Sequence, residues 1–172
     1  MNSLELKLKI FLVKVMSRDA AFRGERSWLS NMLSVDLTIT EEEARELEEN
    51  EKLLILPGTW LSSEAIYMAL KFENVAIQRQ IKTMRGSKAK KFTLQNSESI
   101  RSDWSTVKIN AMKFALSIKF KEPWLIEKLI ETGDEHLEEV NFWNDTFWGT
   151  CNGVGDNHLG YLLMEQRSKL TQ

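Results

Sequence analysis

The stretch from Arg101 to Lys121 carries the longest regular pattern in the sequence. Its apolar residues recur every three or four positions, at Trp104, Val107, Ala111, Phe114, Ala115 and Ile118. This spacing puts them on one face of an α-helix and predicts a long amphipathic helix. Because such a face has to be covered, the rest of the chain is expected to supply elements that pack against it.

Other helix boundaries can also be inferred from the sequence. Thr40 and Glu43 have the spacing of a capping box, and the acidic run that follows is rich in helix-forming residues. Ser62 stands before Glu64 and an apolar segment, which indicates the start of another helix. Further helices are predicted in 74–84, 123–133 and 157–170.

Short strands are predicted between these helices. Residues 4–15 alternate between apolar and polar, which is the period of a half-buried strand. A second strand is predicted before Ile39 and a third in 53–57, whereas 85–99 is predicted to be a loop with one helical turn. Since there is no alternating strand–helix pattern, the fold is predicted to be mainly α, formally α+β, with a few short strands in a single compact domain over 1–172.

Charge and cysteine content limit the classes of function. The 23 Lys and Arg residues nearly balance 25 Asp and Glu, whereas proteins that coat nucleic acid need a basic excess. The single cysteine, Cys151, excludes an intramolecular disulfide, and with two histidines it gives too few ligands for a His/Cys metal site. The sequence has neither a membrane-length apolar run nor a secretory pattern. We expect a cytoplasmic protein without a metal or cofactor, and its oligomeric state stays open.

Glu64 and Lys71 are the first candidates for chemistry. They lie about two helical turns apart and therefore share one face of the predicted helix. The residues around them are apolar, so both charged groups are expected to be partly buried, with pKa values shifted toward neutrality. On an exposed helix the same two residues would form an ordinary solvated pair.

The glycine-rich loop WGTCNGVGDNHLG is the second candidate. It matches neither the dinucleotide fingerprint nor the P-loop, so it is either a close approach to a ligand or a tight turn before the last helix. Asp145, just before it, and Glu64 are carboxylates of the kind that glycosidic cleavage uses. One group donates a proton to the leaving nitrogen, and a negative charge stabilises the oxocarbenium ion that develops on the sugar. The amine of Lys71 could instead trap an opened sugar as a Schiff base.

Five blocks of the sequence resemble the NADAR/YbiA-like family, in the order in which that family has them. They are WLSN (28–31), PGTWLSSEAIYMALKF (57–72), RSDW (101–104), AMKFALSIKF (111–120) and NDTFWGTCNGVGDNHLGYLLMEQR (144–167). The resemblance implies a helical N-glycosidase that hydrolyses the ribose C1–N bond of phosphoribosylamino-pyrimidine intermediates of riboflavin synthesis, or of related ADP-ribosyl N-glycosides. Two alternatives remain: removal of ADP-ribose from guanine in DNA or nucleotides, as an antitoxin or counter-defence enzyme, and a non-catalytic interaction module.

The resemblance also implies roles for individual residues. Glu64 matches the family's glutamate and is expected to perform acid/base catalysis. Lys71 is expected to form the Schiff base or to hold phosphate, and Asp145 to orient the ribose hydroxyls or stabilise positive charge. Arg101 and Arg167 are phosphate candidates, and for Arg167 a structural role in the last helix is at least as plausible. Substrate contacts are implied for Ser30, Asn31, Tyr67, Arg101, Trp104, Trp148, Gly149 and Asn157.

The sequence departs from the family pattern in three side chains and one segment. Ala65 stands where members commonly have His, Met68 where they often have Gln, and Cys151 where a glycine is usual. These differences predict a more apolar pocket rim. The segment 36–56 is longer than the connection in small members of the family, and we expect it to be a lid or a partner surface.

Overall fold

The computed structural model describes residues 22–172, and the chain forms two compact units. The central unit comprises 31–131, and the terminal unit comprises 22–30 together with 132–172. The strand predicted for 4–15 lies outside the described residues. That a single domain extends over 1–172, with family motifs in 28–167, stays a prediction.

The central unit is built mainly from helices. A two-stranded antiparallel sheet joins β1 (Leu37–Ile39) to β2 (Gly58–Trp60), with Leu37 opposite Trp60. A short 3-10 helix spans Ser97–Ser99. The α-helices are α1 (Glu41–Glu51), α2 (Ser63–Ala69), α3 (Val75–Lys82), α4 (Gly86–Gln95), α5 (Trp104–Lys119) and α6 (Pro123–Glu131).

The terminal unit begins with a 3-10 helix, Gly24–Leu29, and ends with α7, His158–Leu170. Between them, β3 (Val140–Asn141) pairs in parallel with β4 (Thr150–Cys151). The prediction of a mainly helical fold with a few short strands is therefore confirmed. Within 22–172 the helices are all too short or too polar to cross a bilayer.

The predicted capping box starts α1. The Thr40 hydroxyl accepts a hydrogen bond from the Glu43 N–H at 3.1 Å, and the Glu43 carboxylate accepts one from the Thr40 N–H at 2.9 Å. The surrounding segment 36–56 contributes the buried side chains of Leu47, Leu53 and Ile55 to the central unit. The segment is therefore part of this unit's core, and its role as a lid or partner surface stays a prediction.

The prediction of a strand over 53–57 is wrong. A side chain, rather than a neighbouring strand, forms hydrogen bonds with the backbone of this segment. The Gln78 side chain accepts a hydrogen bond from the Leu56 N–H at 3.1 Å and donates to the Leu54 carbonyl at 2.7 Å. Leu53 and Ile55 are buried, which explains why the run is apolar. Apolar runs of this length indicate burial but do not show which group satisfies the backbone.

The loop predicted for 85–99 is also wrong, because most of it is helix α4. Arg85 at the N-cap is not one of the residue types that usually start a helix, so the start of α4 has only a weak signal in the sequence. Packing compensates for it. A Cβ atom at Gly86 would lie 2.9 Å from the Cβ of Glu64, and Ala89 and Thr93 on the same helix are buried.

Candidate active site

Glu64 lies in the first turn of α2, in a buried position. The Ser62 hydroxyl caps this helix by accepting a hydrogen bond from the Ala65 N–H at 3.1 Å, as the sequence predicted. Every residue of α2 is buried, and Glu64 is 7% exposed. The helix packs against α3, α4 and α5, so the carboxylate is fixed within the helical core of the central unit.

Asn31 fixes the start of α2 from outside the helix. Its carbonyl oxygen accepts a hydrogen bond from the Glu64 N–H at 3.0 Å, and its Oδ1 accepts one from the Ser63 hydroxyl at 3.1 Å. Its side-chain nitrogen donates a hydrogen bond to the sulfur of Met112 at 3.2 Å. Asn31 is buried, and contact with a substrate stays a prediction for this residue.

Lys71 follows α2 and lies between two aromatic rings. Its Nζ is 5.4 Å from the ring centroid of Tyr67 and 5.4 Å from that of Trp104. The two ring centroids are 5.2 Å apart, with a tilt of 52° between their planes. The Lys71 carbonyl accepts a hydrogen bond from the Arg101 N–H at 2.9 Å. The structure thus brings Lys71 together with three other residues predicted for the site, Tyr67, Trp104 and Arg101. The charge of a fifth, Glu64, also acts on this amine.

Burial lowers the pKa of the Lys71 amine below its usual range, as the sequence predicted. The carboxylate of Glu64 acts against this effect by favouring the ammonium form, and the positive charge of Lys90 adds to it. Glu64 is therefore close enough to Lys71 to influence the charge of its amine. Lys90 was missed by sequence reasoning because its helix, α4, was predicted to be a loop.

The Arg101 side chain is held by groups of the protein itself. Its guanidinium donates to the two carboxylate oxygens of Asp103 at 2.6 and 2.9 Å, and to the Lys52 carbonyl at 3.1 Å. The hydrogen bonds to Asp103 raise the pKa of Arg101. These contacts join two distant parts of the central unit, and phosphate binding by Arg101 stays a prediction.

Asp145 organises a turn in the terminal unit. Its carboxylate accepts hydrogen bonds from the N–H groups of Phe147 and Trp148 at 3.2 and 2.9 Å. The side chain of Asn141 accepts from the Asp145 N–H at 3.0 Å and donates to the carbonyls of Asp145 and Thr150. Asn141 is fully buried, and sequence reasoning missed this residue because an asparagine two residues before a tryptophan has no distinctive signal.

Two of the predicted loop residues have identities that the local backbone explains. A Cβ atom at Gly149 would lie 2.0 Å from the Glu139 carbonyl oxygen, so only glycine fits there. Asn157 has a φ of +49°, and its side chain accepts from the Glu139 N–H and donates to the Leu137 carbonyl. Of the two interpretations left open for this loop, these contacts favour the tight turn. Substrate contacts by both residues stay predictions.

The remaining predicted residues have the following surroundings. Ser30 directly follows the 3-10 helix of the terminal unit, and its N–H donates to the Ser27 carbonyl. The Trp148 ring contacts the Phe147 ring edge-on, at 4.9 Å between centroids. Arg167 donates to the Thr132 hydroxyl at 2.6 Å and the Glu135 carbonyl at 3.0 Å, which supports its structural interpretation. The three residues that depart from the family pattern are all buried: Ala65, Met68 and Cys151.

The sequence profile of the NADAR domain matches residues 21–171. The chain belongs to the NADAR domain family. The N-glycosidase YbiA of Shigella flexneri serotype 5b is 36% identical to this NADAR protein over 116 residues, which cover 66% of this chain and 72% of that relative. The riboflavin biosynthesis protein VVA0006 of Vibrio vulnificus is 33% identical over 123 residues. That match covers 69% of this chain and 33% of the Vibrio protein, so the chain spans about a third of that relative.

A solved structure has the same fold. The NMR structure of the E. coli protein YbiA superposes with a TM-score of 0.69 at 28% sequence identity, covering 86% of this NADAR protein and 80% of YbiA. The predicted family is therefore confirmed. With it, the predicted class of enzyme is confirmed, a hydrolase that acts on N-glycosidic bonds.

Proposed function

We propose that this NADAR protein hydrolyses the ribose C1–N bond of phosphoribosylamino-pyrimidine intermediates of riboflavin synthesis, or of related ADP-ribosyl N-glycosides. One observation carries the proposal: the buried carboxylate of Glu64 favours the charged form of the half-buried Lys71 amine, and this amine lies beside two aromatic rings. The names of the YbiA and Vibrio relatives support the bond and the pathway.

Glu64 is the proposed acid and base. In its protonated form it donates a proton to the leaving nitrogen while the bond between C1 and that nitrogen breaks. The resulting carboxylate then accepts a proton from the water molecule whose oxygen bonds to C1. Atoms and charge balance, because the water supplies a hydroxyl to the sugar and a hydrogen to the released amine. Glu64 is 7% exposed, so its carboxyl group is largely shielded from bulk water.

Lys71 has two proposed roles, and both use the same amine. A neutral amine can bond to C1 while the bond from C1 to the base breaks and Glu64 protonates the departing nitrogen. The ring C1–O bond then breaks, the ring oxygen takes a proton from the Lys71 nitrogen, and water hydrolyses the resulting protonated imine to regenerate Lys71. An ammonium can instead hold the substrate phosphate. The lowered pKa supports the first role because it increases the neutral fraction. Asp145 is proposed to stabilise positive charge on the sugar, and Tyr67 and Trp104 to contact the planar base.

The proposal is tested by comparing substrates. The purified protein is incubated with a phosphoribosylaminopyrimidine and, separately, with DNA carrying ADP-ribosylated guanine, and released base or ADP-ribose is measured over time. We expect release from the phosphoribosyl substrate. Faster release from the DNA would favour the antitoxin-type function instead. Release from neither substrate would contradict the proposed function.

The charge of Lys90 gives a pH prediction. Since this charge lowers the pKa of Lys71, Lys90→Gln is expected to raise that pKa. The part of the pH profile of kcat/KM that is set by ionisation of the Lys71 amine then moves to higher pH. This holds whether the neutral or the charged amine is the active form. The measurement is the pH dependence of kcat/KM for both proteins. Lys91→Gln is the matched control, because Lys91 is an exposed neighbour on α4, and its profile is expected to stay that of the parent. An unmoved profile in Lys90→Gln would contradict the coupling.

A further inference from the structure

Two buried polar side chains next to Glu64 are connected to each other. The Ser63 hydroxyl donates to the Asn31 Oδ1 at 3.1 Å, and the Glu64 N–H donates to the Asn31 carbonyl at 3.0 Å. Ser63 is 1% exposed and Asn31 is 6% exposed. One residue outside α2 is therefore joined to two successive residues in the first turn of that helix.

Each end of the Asn31 side-chain amide has a partner within the protein. Its oxygen accepts from Ser63, while its nitrogen lies within donor distance of the Met112 sulfur, on helix α5. An asparagine that contacts a substrate needs a donor or an acceptor directed at that substrate. Here the two ends of the amide are directed at the start of α2 and at α5.

The Cβ of Glu64 also has a close neighbour. The backbone of Gly86, the first residue of α4, packs so closely that a Cβ atom there would lie 2.9 Å from the Cβ of Glu64. The hydrogen bonds that Ser63 and Glu64 donate to Asn31 connect the start of α2 to a residue outside the helix. Both the main chain and the Cβ of Glu64 thus have defined neighbours.

We infer that Asn31 and Ser63 are positioning residues that hold Glu64 in place for the reaction, and that Asn31 acts through Ser63 rather than by contact with the substrate. This inference rests on the proposed role of Glu64 as acid and base. Displacement of a catalytic group by about 1 Å can reduce a rate by about 10²-fold, so the hydrogen bond between the two side chains is expected to affect turnover.

A double-mutant cycle tests the inference. Ser63→Ala and Asn31→Ala are each expected to lower kcat by about tenfold while changing KM by less than about twofold. The double variant is expected to be no slower than the slower single variant, because both changes remove the same hydrogen bond. Ser63→Cys, which keeps a weak donor of similar size, is expected to lie between the parent and Ser63→Ala.

Asn74→Ala is the matched control for loss of stability alone. Asn74 caps α3 through hydrogen bonds from the N–H groups of Ala76 and Ile77, and it is exposed. This variant is expected to lower Tm and to leave kcat and KM unchanged. The comparison separates an effect on positioning from a general weakening of a helix start.

Each outcome decides between the alternatives. A raised KM in Asn31→Ala, with additive effects in the double variant, would indicate direct substrate contact and overturn the inference. An unchanged kcat in Ser63→Ala would overturn it as well. If Ser63→Ala does not fold, Ser63→Cys decides by the same criteria. A parent protein that turns over neither substrate contradicts the proposed function, whereas an active parent with unaffected variants contradicts only the positioning role.

Discussion

Glu64→Gln is expected to slow hydrolysis of the N-glycosidic bond by about 10²- to 10⁴-fold, because glutamine has nearly the same shape but cannot transfer the proton. The side chain is buried in the first turn of α2, so the isosteric change preserves its packing. The measurement is kcat and KM on the phosphoribosyl substrate, with Tm recorded for the same samples. The loss is expected in kcat, with Tm close to that of the parent.

Glu42→Gln is the control for this experiment. Glu42 lies in the first turn of α1, also near a helix start, but it is exposed. We expect parent activity in this variant. Parent activity in Glu64→Gln would remove Glu64 from the reaction, and the same criterion applies to Asp145→Asn for the predicted role of Asp145.

The second large effect is expected for Lys71→Ala, at about 10²-fold or more in kcat, since both proposed roles need the amine. Borohydride reduction during turnover distinguishes the two roles. Reduction of an imine produces a stable adduct of the sugar with the protein, which mass spectrometry detects. On the imine route, the parent protein gives this adduct and Lys71→Ala does not.

Lys88→Ala provides the comparison for lysine loss in general. Lys88 is an exposed residue of α4, and its variant is expected to keep both activity and adduct. An adduct that persists in Lys71→Ala would exclude Lys71 as the nucleophile. Lack of an adduct in the parent, together with slow turnover in Lys71→Ala, would leave the phosphate-holding role.

Local signals in the sequence predicted those parts of the fold that depend on neighbouring residues. The capping box of Thr40 and Glu43 predicted the start of α1, and the Ser62 cap predicted the start of α2. Both signals work because the donor and the acceptor lie within one helical turn. The candidate pair of Glu64 and Lys71 followed from helical periodicity, but the prediction that one helix carries both is wrong, because α2 ends at Ala69 and Lys71 lies in the turn that follows.

Contacts between distant residues could not be predicted in this way. Helix α4 depends on the packing of Gly86 against Glu64, and the 53–57 segment depends on the side chain of Gln78. Neither partner is identifiable from the local sequence. The same limit applies to Lys90, which belongs to the surroundings of Lys71 only because α4 packs beside α2.

Arg101 connects the end of the 36–56 segment to the residue that carries the candidate amine. Its guanidinium binds the carbonyl of Lys52, close to the end of this segment, and its own N–H binds the carbonyl of Lys71. An engineered chain in which 36–56 is cut to a short connection is expected to remove the Lys52 carbonyl as a partner of the Arg101 guanidinium. Because the backbone of Arg101 is hydrogen-bonded to Lys71, we expect such a change in segment length to alter the position of the proposed catalytic amine without any substitution beside it.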